Sequence, residues 1–177
     1  DQPLIQQLIK GIAENFNCGV HPGYGSNLSE LKSEISNLKK LTKKNIEHSR
    51  QHFLKMTFPE TYRNLISAGI KTDWTMGYSN EIGFRCGIAE EFPWFDVREN
   101  KTTGLMLQPF HAMDAALFYN MNLKAAVAEE KVIHLINEVK SVGGHFVFLS
   151  HNNLISNKGE WTGWNHSMDN ILKQVAS

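Results

Sequence analysis

The chain has 177 residues, with 18 Lys plus Arg against 18 Asp plus Glu, and is 41% hydrophobic and 20% charged. That is the profile of one neutral soluble domain, long enough to bury roughly 70% of its unfolded surface. A zero balance argues against nucleic acid as the main partner, because phosphate binding needs a basic footprint. No apolar run approaches the ~18 residues of a membrane span. Cys18 and Cys86 are too few for a disulfide framework and read as reduced, with a single bridge as the alternative.

In chain order, Asp1 to Phe16 spaces Leu4, Ile5, Leu8, Ile9 and Ile12 as a helix does. A short stretch Cys18-Gly19-Val20-His21, read as the first strand, and a turn at Pro22-Gly23-Tyr24-Gly25 follow. Ser26 to Lys44 is a second helix, striped by Leu28, Leu31, Ile35, Leu38 and Leu41 and capped by Asn27 or Ser29. Ile46 to Arg50 reads as a brief strand. Pro59 opens a helix that runs to Ala68 and stops at Gly69. Ile70 to Trp74, Gly83 to Ile88, Phe92 to Phe95 and Gly104 to Phe110 are strand candidates, the third alternatively an aromatic loop. Ala112 to Tyr119 and Lys124 to Ser141 read as helices, the second ended by Gly143-Gly144. His145 to Ser150 is a buried strand, Asn152 to Asn165 a loop, and Ser167 to Ala176 a last helix. Such alternation predicts an α/β fold with a parallel sheet, best an irregular (β/α) barrel, with an open sheet as runner-up.

In parallel β/α folds the functional side chains sit where strands end. The predicted strand ends carry His21, Arg50 with His52, Asp73, Arg85, His111 with Asp114, and His151. Each has a plainer alternative. His21 could bond its turn, His52 pack near Phe53, Arg50 pair with a carboxylate, and Asp73 cap the turn at residues 75–77. Arg85 and Asp114 could form a buried pair. His48, His134, His145 and His166 read as non-functional. Walker-type, G-x-G-x-x-G, C-x-x-C, H-E-x-x-H and G-x-S-x-G signatures are all absent.

Five segments carry a family resemblance: CGVHPGYGS (18–26), SRQHFLKMTFPETYRNLISAGIKTDWTMGY (49–78), GFRCGIAEEFPWFDV (83–97), LQPFHAMD (107–114) and GGHFVFLSHNN (143–153). On these the chain resembles the polysaccharide deacetylases of the NodB-homology type (carbohydrate esterase family four), in a divergent bacterial branch. The resemblance implies an irregular (β/α) barrel of the glycoside hydrolase/deacetylase type. It also implies a divalent metal, usually zinc, held by one Asp and two His, a second Asp as general base and a late His as general acid. His21 matches the first His of the family's H-x-x-x-H motif, whose second His falls at Gly25. Arg50 matches the Arg that orients the base, and His52 stands where Pro is usual, as a substitute ligand. Asp73-Trp74 resembles the family's Asp and Trp strand. Leu149-Ser150-His151 approximates the final Leu-x-x-His. The family's Asp pair has no counterpart. With no initiator Met, residues 1–177 therefore read as a single domain truncated at its N-terminus and lacking its first strand.

The expected function is metal-assisted removal of acetyl groups from a sugar polymer. His151, Arg50 and Asp73 would be catalytic, and His21 and His52 metal ligands. Trp74, Arg85, Trp94 and Asp114 would bind substrate, with Trp74, Trp94 and Phe95 offering apolar faces to sugar rings or, alternatively, packing in the core. The alternatives are an inactive carbohydrate-binding protein on the same fold, or another hydrolase with His21, His52, Asp73 and His151 as its metal set.

Overall fold

The structure, a computed structural model, describes residues 3–152 and 157–176. It is mixed α/β and divides into two compact units, residues 1–75 with 92–108, and residues 76–91 with 109–177. Among the described residues no helix is long and apolar enough to cross a membrane. Cys18 and Cys86 are both free thiols.

In the first unit, helix α1 (Pro3–Asn15) forms where the apolar period demands, but its stripe faces outward: Leu4, Ile5, Leu8, Ile12 and Phe16 are exposed and Ala13 is buried. The Lys44 ammonium donates to the Ala13 carbonyl at the helix end. Helix α2 (Leu28–Thr42) starts at a reciprocal capping box. The Asn27 side chain accepts from the Ser29 and Glu30 amides at 2.9 and 3.1 Å, and the Glu30 carboxylate accepts from the Asn27 amide at 2.8 Å. Helix α3 (Glu60–Ser67) buries Tyr62 and Leu65, and Gly69 at φ 84 turns the chain away as only glycine does without strain.

Strands β1 (His48–Ser49), β2 (Thr72–Asp73), β3 (Phe92–Asp96) and β4 (Lys101–Leu107) form a sheet in the order β1-β2-β4-β3. Val20 bridges to Ser49 in parallel, and β1, β2 and β4 are also parallel, with Ser49 opposite Asp73 and Asp73 opposite Leu107. Strand β3 returns antiparallel to β4. Asp96 fixes that hairpin by accepting from the Arg98 and Glu99 amides at 3.1 and 3.2 Å, while Arg63 of α3 grips the same carboxylate at 2.7 and 3.1 Å. The guanidinium holds the Asp96 carboxyl below its usual range. Trp94, offered above as a sugar face, is buried against Tyr62 with ring centroids 5.2 Å apart.

The second unit pairs β5 (Ala112–Met113) with β6 (Phe148–Leu149) in parallel. Helix α4 (Ala125–Ser141) buries Ala128, Val132, Leu135, Ile136 and Val139, and helix α5 (Trp164–Ala176) adds Trp164 and Ile171 to the same core.

Several predicted elements differ from the fold, and the strands expected over Ile46 to Arg50 and Ile70 to Trp74 are each two residues long. Gly83 to Ile88 is not a strand, because Gly83 and Gly87 take φ 125 and 67 and break the extended run. Ala112 and Met113 are strand rather than helix, because they pair with Phe148 and Leu149; the chain turns helical only at Asp114, with a wide turn over Ala116–Asn120. The strand expected over His145 to Ser150 is two residues long. Upstream of it, the Val147 amide is taken by the His111 ring instead of a ladder carbonyl, at 3.2 Å. Residues 153–156 of the predicted loop lie outside the described residues, and Gly159–Trp161 within it is a short helical turn.

Candidate functional site

In the first unit, Val20, β1 and β2 run parallel, so their C-terminal ends lie on one edge. That edge carries His21, Arg50, His52, Asp73 and Trp74. The His21 Nδ1–H donates to the Arg50 carbonyl at 2.8 Å. A carbonyl only accepts, so the neutral ring keeps its free lone pair on Nε2. The His21 and His52 rings stack, with centroids 4.9 Å apart and planes 23° apart.

Asp73 is fully buried beneath this edge. Its Oδ2 accepts from the Ser49 hydroxyl at 2.7 Å and the Thr75 hydroxyl at 2.8 Å, and its Oδ1 accepts from the Thr75 amide at 3.0 Å. Burial pushes its carboxyl above the usual range, against the lowering effect of these bonds and of the Arg50 charge. Its bonds to the Thr75 amide and hydroxyl close the Asp73–Thr75 turn. The Arg50 guanidinium, lowered chiefly by burial, donates through Nε to the Trp74 carbonyl at 3.2 Å. Trp74 is half-buried, and its indole N–H donates to His48 Nδ1 at 3.3 Å. His48, read from the sequence as non-functional, therefore stands beside these residues.

The next turn, His52–Leu54, is unusual. Phe53 and Leu54 take φ 52 and 54, a left-handed backbone that costs side-chain-bearing residues on the order of 1–3 kcal/mol each. Phe53 nevertheless stays 80% exposed. Sequence reasoning passed over this turn because nothing in His52-Phe53-Leu54 signals positive φ; Asn or Gly would have done so.

In the second unit, parallel β5 and β6 bring Asp114 and His151 together just past their ends. Asp114 is wholly buried, whereas the His151 side chain is 51% exposed. The His151 Nδ1–H donates to Asp114 Oδ1 at 2.6 Å, and the His151 amide donates to Oδ2 at 2.5 Å. The Ala115 amide adds a third bond to Oδ1 at 2.6 Å. The carboxylate thus lies under the imidazole, turned from open solvent, and fixes the tautomer that leaves His151 Nε2 free. Nε2 of a half-exposed ring held this way keeps its lone pair unused. Arg85 is not paired with Asp114; its guanidinium donates to the Gly77 carbonyl at 2.8 Å.

Among the described residues, no three His, Cys, Asp or Glu side chains are placed to share one ion. The His21–His52 pair supplies two imidazoles, and a catalytic zinc takes three protein donors. The position aligned with the family's second His, Gly25, offers no side chain.

Among known proteins, no family model and no curated protein matches this chain. Among solved structures, the fold is similar to a "putative polysaccharide deacetylase" from Mycobacterium smegmatis, with a TM-score of 0.68 at 14% identity. The similarity covers 97% of this chain and 61% of that one, so the chain spans about three-fifths of the length of that structure. At this identity, what the two share is the fold.

Proposed function

We propose that the chain is a polysaccharide deacetylase-like hydrolase of the NodB-homology type, built on an irregular (β/α) barrel and acting on an acetylated glycan. The observation that carries this reading is the His151–Asp114 dyad: an accessible imidazole oriented by a buried carboxylate, on a fold shared with a protein of that name. In the proposed reaction water adds to the acetyl carbonyl, giving up a proton to solvent, and protonated His151 donates its Nε2 proton to the departing amine or alcohol as the C–N or C–O bond breaks and acetic acid leaves. Asp114 balances the imidazolium until that proton is transferred, and the neutral ring is reprotonated from solvent. Arg50 and Asp73 hold the edge on which His21 and His52 stand. Within the first unit Trp74 is assigned to the substrate with Trp94 as its support, and within the second unit Arg85 is assigned to the substrate with Asp114 as its support. The reading includes a divalent metal, zinc by ligand type, at His21 and His52; these are one donor short of a catalytic set, and no step is assigned to it.

The test is acetyl release from acetylated chito- and xylo-oligosaccharides, with and without a chelator. His151→Ala and Asp114→Asn are expected to lower kcat by roughly 10²–10⁴-fold and by a smaller factor, respectively. Unchanged release in both variants would sink the assignment. A second reading, carbohydrate binding without turnover, is favoured by Gly25 at the family's second His and by the two-imidazole set. Glycan binding that survives chelation, with no acetyl release, selects it.

A further inference from the structure

The geometry points to a sugar-ring platform formed by Tyr24 and Phe53, a binding site for a pyranose face beside the His21–His52 pair. It rests on the glycan reading above and locates the ring within it. Four rings are contiguous here. His52 stacks on His21, tilts against Phe53 at 4.7 Å and meets the edge of Tyr24 at 6.3 Å; Tyr24 meets Phe53 edge-on at 5.9 Å, with planes 84° apart. Two aromatic faces at nearly right angles make a corner. Tyr24 is 59% exposed and Phe53 80%, so the corner is open to water. The Lys55 ammonium sits 4.1 Å from the centre of the Tyr24 ring.

The backbone carries the argument further. A left-handed φ disfavours Phe53, and so does a ring left in water; neither cost is offset by burial. Such a conformation persists only where its surroundings impose it, and here they do. The Gln51 amide donates to the Thr75 hydroxyl at 3.0 Å, and that hydroxyl donates to buried Asp73. The Leu54 amide returns to the Gln51 carbonyl and the Lys55 amide to the His52 carbonyl, at 3.0 and 3.1 Å. A buried network thus presents an aromatic side chain outward in a fixed pose. The occupant is a saccharide rather than a protein surface because the apolar area is two rings wide and its border is polar. His21, His52, Lys55 and the Tyr24 hydroxyl meet the hydroxyl rim of a ring whose C–H face lies on Phe53. A neutral chain suits an uncharged polymer.

Titration calorimetry with an N-acetylated chito-oligosaccharide and an acetylated xylo-oligosaccharide tests this on the chain as it stands. Phe53→Ala and Tyr24→Ala are each expected to weaken binding about tenfold, while Phe16→Ala, an open aromatic just past α1, leaves it unchanged. Phe53→Gly relieves the left-handed backbone and is expected to raise the thermal midpoint by about 2–4 °C while losing the same affinity; this shows the loss is not unfolding. If the parent chain binds a glycan and the Tyr24 and Phe53 variants bind it equally well, the platform is wrong and the deacetylase reading stands. If the parent binds neither oligosaccharide, the platform is overturned, and the His151-dependent acetyl-release assay then judges the wider reading on its own.

Discussion

His111 sits just before β5, almost wholly buried, with its ring stacked on Phe146 at 5.7 Å and edge-on to Phe84 at 5.2 Å. Nδ1 accepts from the Val147 amide, so the proton lies on Nε2, which has no hydrogen-bond partner among the described residues. Protonating Nδ1 would destroy that acceptor and bury a charge between two phenyl rings, and burial accordingly lowers the His111 basicity. The unfolded chain, titrating near 6.5, then binds more protons than the folded one as pH falls. Stability from this residue is therefore complete above about pH 6.5 and declines below it. His111→Gln keeps an acceptor for Val147 and removes the titration. Urea midpoints from pH 7.5 to 5 should fall less steeply in the variant, and equal slopes would remove His111 from the account. The sequence placed His111 and Asp114 at the end of an extended segment, and Asp114 does reach His151. It could not show that Asp114 faces the imidazole, because the two residues lie just past separate strands and 37 residues apart in the chain.

At the level of elements, local signals worked where the chain stabilises itself. Asn27, one of the two caps the sequence offers, starts α2 in the fold through its reciprocal box with Glu30, and Asn27→Ala is expected to cost about 0.5–2 kcal/mol of unfolding free energy. Periodicity identified α1 correctly as a helix but says nothing of what covers it. Leu8, 62% exposed, should tolerate Gln within about 0.5 kcal/mol, whereas Leu135→Ala on the buried face of α4 should cost about 2–5 kcal/mol. Denaturant midpoints of the two variants separate these cases. The strands were hardest to read. Among the described residues four of the six are two residues long, so no alternation can build up in them. Their ends were legible because His, Arg and Asp gather there, and parallel pairing puts those ends together.

For the whole molecule, the balance of 18 positive and 18 negative side chains leaves little repulsion between copies at neutral pH. Solubility should be lowest near the isoelectric point of about 7.3 and rise on either side, a minimum that light scattering across pH would locate. Oligosaccharide binding should likewise change little with added salt, since neither partner brings a net field.

The order in which the sheet is threaded carries a consequence for synthesis. Strand β4 lies between β2 and β3, yet it is the last of the four to be made, ending at Leu107 after residues 76–91 have gone to the other unit. Until Lys101 to Leu107 leave the ribosome, the two-residue strands β1 and β2 have only each other and the Val20 bridge, and β3 has no neighbour in the sheet. The Tyr24–Phe53 corner and the Asp73 network beneath it are therefore completed late, although every residue in them was translated early. Truncations ending before residue 101 should leave nascent chains that proteases cut at the Gln51–Lys55 turn, and those extending well past residue 108 should resist.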